Sequence, residues 1–203
     1  MAGPGGLRHG PPRGDPVRAG AGATPDPALI AARTLRPVGA TIADRASVAA
    51  LLGREPTAEF DVVVRRRAGT PVVIRNAPLT RDGVPMPTRY WLVDPEWNRA
   101  VGRLEAAGGV RAAQRDVDPE ALAAAHRAYA ADRDAAVPPD WTGPRPDAGV
   151  GGTRRGVKCL HAHVAVRLVG VPDPVGDWAL DRLTPDLRRD LVPALRGAVE
   201  VGG

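Results

Sequence analysis

The stretch FDVVVRRRAGTPVVIRN, residues 60–76, decides the fold. Two runs rich in β-branched residues, 60–66 and 71–76, flank Ala68-Gly69, and that pattern specifies a hairpin. Pro71 heads the second run, where a strand tolerates it. Upstream, Thr41 and Asp44 form a capping-box pattern ahead of Val48, Leu51 and Leu52, and Gly53 ends that helix. Downstream, APLTRDGVPMPTRYWL turns at Asp82-Gly83 and is held extended by Pro85 and Pro87.

Helix signals follow. Asp94-Pro95 opens one helix, with Trp97, Val101 and Leu104 on a face and Gly108-Gly109 as its stop. Asp118-Pro119 opens another, carrying Leu122, His126 and Tyr129 on one face. A loop rich in Pro, Gly and Asp spans 138–152. VPDPVGDW reads as a turn, and Thr184-Pro185-Asp186 opens a short amphipathic segment that Pro193 interrupts. The sum is an α+β fold: a small antiparallel sheet or hairpin with three to five helices. The expected organisation is a disordered Gly/Pro/Arg-rich arm at 1–37, one domain at 41–180, and a C-terminal helical extension or tail at 181–203.

Bulk composition narrows the partners. The 203 residues carry a net charge of +5, which permits contact with polyanions. The arginines, however, are interspersed with aspartates and glutamates, so a solvated mixed-charge surface is expected and nucleic acid is not. A single cysteine allows no internal disulfide and fits a reducing cytoplasm. No apolar run approaches the ~20 residues that span a bilayer, and the N-terminus lacks the apolar core of a signal peptide. The expectation is a cytoplasmic protein without membrane insertion.

One octapeptide gathers the rare reactive side chains. GVKCLHAH, residues 156–163, holds the only lysine, the only cysteine and two of the four histidines. As a strand it would align Cys159, His161 and His163. As a helix it would stack Leu160, Val164 and Leu168, and the alanine content favours the helix. A glycine-rich loop, GVGGTRRG, then delivers Lys158 and Cys159 to the helix N-terminus, where free N–H groups favour anions and a thiolate.

Three chemistries fit these residue types. Cys159, His163 and His126, with His161 as a substitute, supply nitrogen and sulfur ligands suited to zinc. Cys159 is a candidate nucleophile with His161 as its base. Gly151, Gly152, Arg154, Arg155 and Lys158 are candidate ligands for an anionic, phosphate-type small molecule. Against all three stands the plain alternative, a small buried thiol and histidines that satisfy backbone groups. Arg89, Tyr90 and Trp91 either join the ligand site by stacking or clamping a carboxylate, or anchor a loop to the core. A different class of role is a non-catalytic interaction protein with a protein partner in division or envelope machinery.

LLGREP, VVVRRRAGTPVVIRNAP, DGVPMPTRYWLVDP, RLEAAGGVR, AHRAY, GVGGTRRGVKCLHAH and DPVG, in this order, resemble the bacterial, mainly actinobacterial, family catalogued as domain of unknown function 501. The resemblance covers about residues 41–177, and PTRYWL and VKCLHAH make it specific. Asp173 departs from the pattern, which has asparagine before Pro-Val-Gly. The resemblance implies no particular reaction. It implies gene neighbours resembling a septum-formation initiator, an enolase and an exopolyphosphatase, and so a phosphate-related or envelope-linked setting.

Overall fold

The computed structural model describes residues 39–193. The expected arm at 1–37 and the chain beyond Pro193 lie outside the described residues. Six α-helices and one four-stranded sheet make the fold α+β, as expected, with a helix more than the range anticipated among the described residues alone. The elements are α1 (Ile42–Leu52), β1 (Ala58–Arg66), β2 (Pro71–Thr80), β3 (Tyr90–Leu92), α2 (Pro95–Ala106), α3 (Gly109–Asp116), α4 (Pro119–Asp134), α5 (Leu160–Leu168), α6 (Pro174–Leu180) and β4 (Leu191–Pro193). Single 3₁₀ turns cover Val150–Gly152 and Pro185–Arg188.

The hairpin read from the sequence is the centre of the sheet. Strand order is β3-β2-β1-β4, with all three pairings antiparallel. The β1–β2 register shifts between Val62 and Val64. An extra residue on one strand reverses which side the following side chains face. Phe60 and Val62 accordingly join Val48, Ile74 and Val93 in a small cluster beside α1, whereas Val64 joins the main core.

Three helix starts obey their capping residues. The Thr41 hydroxyl accepts from the Asp44 N–H, and the Asp44 carboxylate accepts from the Thr41 N–H. Asp94 accepts from the Glu96 and Trp97 amides, and Asp118 from those of Glu120 and Ala121. Gly108-Gly109 does end α2, yet α3 begins at Gly109, so the two glycines make a corner between helices. VPDPVGDW is likewise more than a turn. Asp173 caps it and Pro174 opens α6.

Helix α5 occupies the middle of the main core. Leu160, Ala162, His163, Val164, Ala165 and Val166 are all buried, because β3, α2, α6 and the Val150–Gly152 turn pack around it. A helix covered on most sides has little need of a polar face, which is why HAHVAV reads ambiguously. The contact of β3 with α5 also brings the strand Tyr90–Leu92 against the octapeptide's helix.

Arg66, at the end of β1, ties distant segments together. Its guanidinium donates to both Asp94 oxygens at 2.7 and 3.0 Å, to Glu96 at 2.8 Å, and to Asp190 at 3.1 Å. Strand β1, the start of α2 and the approach to β4 are joined at one side chain.

Candidate functional site

The loop 149–156 and the start of α5 form the candidate site. Histidine 126 on α4 holds the loop from below. Its Nδ1 accepts from the Val150 N–H at 3.0 Å, so Nε2 carries the ring proton and donates to the Gly156 carbonyl at 3.1 Å. Gly149 lies so close that a Cβ there would sit 2.5 Å from His126 Nδ1. Burial holds the His126 pKa below the ordinary imidazole value, outweighing the Gly156 carbonyl that favours a proton. Arg133, almost wholly buried, donates to the Ala148 carbonyl. Gln114 accepts from the Val157 N–H at 2.7 Å. The loop is thereby pinned at both ends.

Between the pins, Gly151 and Gly152 are both left-handed, with φ of 68° and 75°. That pair of conformations is one only glycine adopts without strain. It turns the backbone beside Lys158, whose Nζ lies 4.0 Å from where a Gly152 Cβ would be. An open groove of about 540 Å³ is lined by Asp147, Ala148, Gly152, Thr153, Arg154 and Arg155. Arg154 pairs there with Asp147, and both side chains are exposed. The Thr153 hydroxyl donates to the Arg155 carbonyl at 2.7 Å, bracing the turn.

Cys159 is the N-cap residue of α5 and makes no side-chain cap hydrogen bond. The expected activated thiolate is not what this environment produces. Burial pushes the thiol pKa up, and the nearby Glu105 carboxylate adds to it; the Ala162 and His161 amides and Lys158 pull the other way without prevailing. The helix N-terminus is not open to an outside anion at its first amide either. The Glu105 carboxylate accepts from the Leu160 N–H and stands 3.1 Å from His161 Nδ1. His161 Nε2 donates to the Asn98 carbonyl at 3.2 Å. His161 therefore ties α5 to α2 and is not disposed as a base for Cys159.

His163 is the histidine with an orienting partner. Its Nδ1 lies 2.8 and 3.0 Å from the two oxygens of Asp173, and both residues are buried. One Asp173 oxygen also accepts from the Gly176 N–H at 2.8 Å, so the carboxylate caps α6 and holds the ring at once. The His163 ring meets that of His126 edge to face, 5.9 Å between centroids. The zinc set His126, His163 and Cys159 is not assembled. Both His126 nitrogens are engaged by backbone, and no group of three or more His, Cys, Asp or Glu side chains is placed to hold a metal ion among the described residues.

The family model described as Protein of unknown function (DUF501) matches residues 62–181, more than half of the chain. The chain belongs to this family. No curated protein and no solved structure matches the chain. The DUF501 match contains the whole loop, α5 and Asp173.

The segment PTRYWL, inside the DUF501 match, is a structural anchor. Arg89 donates from Nη1 to the Asn76 carbonyl at 2.6 Å and from Nε to Asp132 at 3.2 Å. The Tyr90 hydroxyl donates to the same Asp132 oxygen at 2.9 Å. Trp91 packs beside the smaller cluster, with the Arg54 guanidinium 5.3 Å from its ring centroid. Arg89 and Tyr90 thus spend their polar groups inside the protein, and the three residues stand apart from the groove lined by Arg154 and Arg155. Sequence reasoning missed Glu105, Asp132 and Asp173 as partners. Only Asp173 carried a signal, as an acidic residue one place before a proline that can open a helix.

Proposed function

We propose that this DUF501 protein binds an anionic, phosphate-type small molecule on the basic shelf formed by Gly151, Gly152, Arg154, Arg155 and Lys158. The observation that carries this reading is the pair of left-handed glycines, which curves the loop backbone beside the Lys158 ammonium, with Gly152 also lining the groove of Arg154 and Arg155. The Gly152 and Thr153 amides bond within the loop, to the Gly149 and Val150 carbonyls, so the basic side chains rather than the backbone would hold the ligand. The Arg154–Asp147 pair is solvent-exposed, so exchanging Asp147 for a ligand oxygen costs little. Arg155 and Lys158 add charge, and the groove's openness admits a small ligand with part of its body in solvent. The first α5 amide is taken by Glu105, so the ligand is held by the loop rather than by the helix end.

Titration calorimetry with inorganic pyrophosphate tests the reading. Binding that weakens at least tenfold in a triple variant Arg154→Ala, Arg155→Ala, Lys158→Ala, and weakens with added salt, supports it. An equal affinity in the triple variant, or no binding by the unaltered chain at millimolar pyrophosphate, refutes it.

A further inference from the structure

His126 holds the loop by two bonds of opposite sense. Its Nδ1 accepts from the Val150 N–H at 3.0 Å, while Nε2–H donates to the Gly156 carbonyl at 3.1 Å. Only a neutral ring can make both. A protonated imidazole carries N–H at each nitrogen, so Nδ1–H would face the Val150 N–H, donor against donor. The Gly156 bond would survive and strengthen, because its donor becomes charged. Protonation therefore breaks the hold on one end of the loop alone.

The Val150 amide has no alternative. No other acceptor meets it among the described residues. The turn closes on itself, with the Gly152 N–H donating to the Gly149 carbonyl at 3.1 Å and the Gly149 N–H to the Thr153 carbonyl at 2.9 Å. Gly149 packs on the imidazole, so re-aiming the ring nitrogens displaces the turn as well. The Val150 side chain is wholly buried in the main core, which keeps the turn seated while the ring is neutral. Burial is the largest influence on the ring's charge and opposes a proton. His163, facing it from α5, also opposes one, whereas the Gly156 carbonyl and the Asp173 carboxylate at the cap of α6 favour one. The loop's own Arg154 and Arg155 are exposed, and α3 contributes the uncharged Gln114. Arg133, on α4 itself, is engaged by the Ala148 carbonyl and Asp134.

We propose that His126 is a pH-sensitive latch: a solvent proton taken up at Nδ1 expels the Val150 amide and opens the turn at residues 149–153, while Gly156 stays held. The closed turn requires a neutral ring. In the open turn the ring returns to the ordinary imidazole value of about 6.5. The open form therefore binds more protons than the closed one, and its share grows as pH falls below that value. With the closed ring neutral, one unit below about 6.5 multiplies the open population about tenfold. The consequence for the anion shelf rests on the reading above. Opening draws Gly151 and Gly152 away from Lys158, so an anion is released on acidification even though the ring has gained a positive charge.

Amide hydrogen exchange on the full, ligand-free chain tests the latch. After correction for the intrinsic rate at each pH, opening at Val150 is expected to rise at least about threefold from about pH 7.5 to about pH 5. Its midpoint should match the His126 titration followed by NMR, and the Val164 and Val166 amides of α5 should keep their protection. His126→Gln, whose side-chain oxygen accepts at every pH, is expected to flatten the response. A smaller rise, a rise shared by the α5 amides, or an unchanged response in a folded His126→Gln variant overturns the proposal. If circular dichroism shows that the variant does not fold, agreement of the two midpoints in the native chain decides alone. The exchange needs no ligand, so a flat profile refutes the latch and not the shelf. A chain that fails to bind pyrophosphate at neutral pH refutes the shelf and not the latch.

Discussion

Replacing Arg66 by methionine removes the charge while keeping most of the side chain's bulk. The partner left behind is Asp94, whose side chain is 4% exposed. Taking one member from a buried ion pair costs about 3–5 kcal/mol. Asp94 keeps its hydrogen bonds from the Glu96 and Trp97 amides, and the Glu96 and Asp190 arms are exposed enough to count for little. The expected loss is therefore about 2–3 kcal/mol. With a urea m-value of about 2 kcal/mol/M, the unfolding midpoint should fall by about 1–1.5 M. The pH dependence supplies a second reading. Burial alone would raise the Asp94 pKa, but the Arg66 guanidinium and the two cap amides hold it below the usual carboxylate value. A carboxyl depressed in the folded state stabilises above its unfolded pKa, and that contribution is lost as pH falls through the folded value. The gap between the two proteins should stay level from pH 7 to about pH 5 and narrow below about pH 4. A loss under about 0.5 kcal/mol at neutral pH, or a gap unchanged down to about pH 3, would refute the reasoning.

His126→Gln should cost about 1–2 kcal/mol in denaturant melts, since two hydrogen bonds to the loop are weakened or lost. The His126 pKa is lowered in the folded state, so the native protein should lose stability as pH falls below the unfolded value of about 6.5. Thermal melts between about pH 7.5 and pH 5.5 should show a smaller decline in the variant, and an identical decline would count against the assigned role. Asp132→Ala strands the buried Arg89 guanidinium on one carbonyl and frees the Tyr90 hydroxyl. It should cost about 2 kcal/mol, or a fall of about 6 °C in Tm by calorimetry, and a Tm within about 1 °C of the original would refute it.

Legibility in the sequence followed the range of the interactions. The hairpin, the caps at Thr41, Asp94 and Asp118, and the helical reading of the octapeptide all depend on residues within a few positions of one another, and each is present. The three-residue strands β3 and β4 carry no pattern of their own and exist because β2 and β1 offer them edges. Helix α6 is hidden by its length and two prolines. The site shows the same divide. The glycine turn and its arginines are local, whereas the carboxylate that fills the first amide of α5 comes from Glu105 on another helix. The Cys159 thiol moved opposite to expectation because its neighbours in sequence are cationic while its neighbours in space are mostly apolar. His161 and His163 are indistinguishable by composition. What separates them is their partners, Asn98 and Glu105 for His161 and Asp173 for His163, none adjacent in sequence.

Three residues after the end of the family match's last helix region have a part out of proportion to their number. Leu191–Pro193 lie along the outer edge of β1 at Val64, Arg65 and Arg66, and the Arg67 N–H donates to the Asp190 carbonyl at 2.6 Å. An uncovered strand edge is a template for pairing with another chain. A fragment cut at residue 181, where the family match ends, would strip that cover from a valine-rich strand and remove the Asp190 arm of the Arg66 clamp. Such a fragment would leave that edge of β1 open to pairing with another strand, so the boundary of the matched region is not the boundary of the sheet's cover.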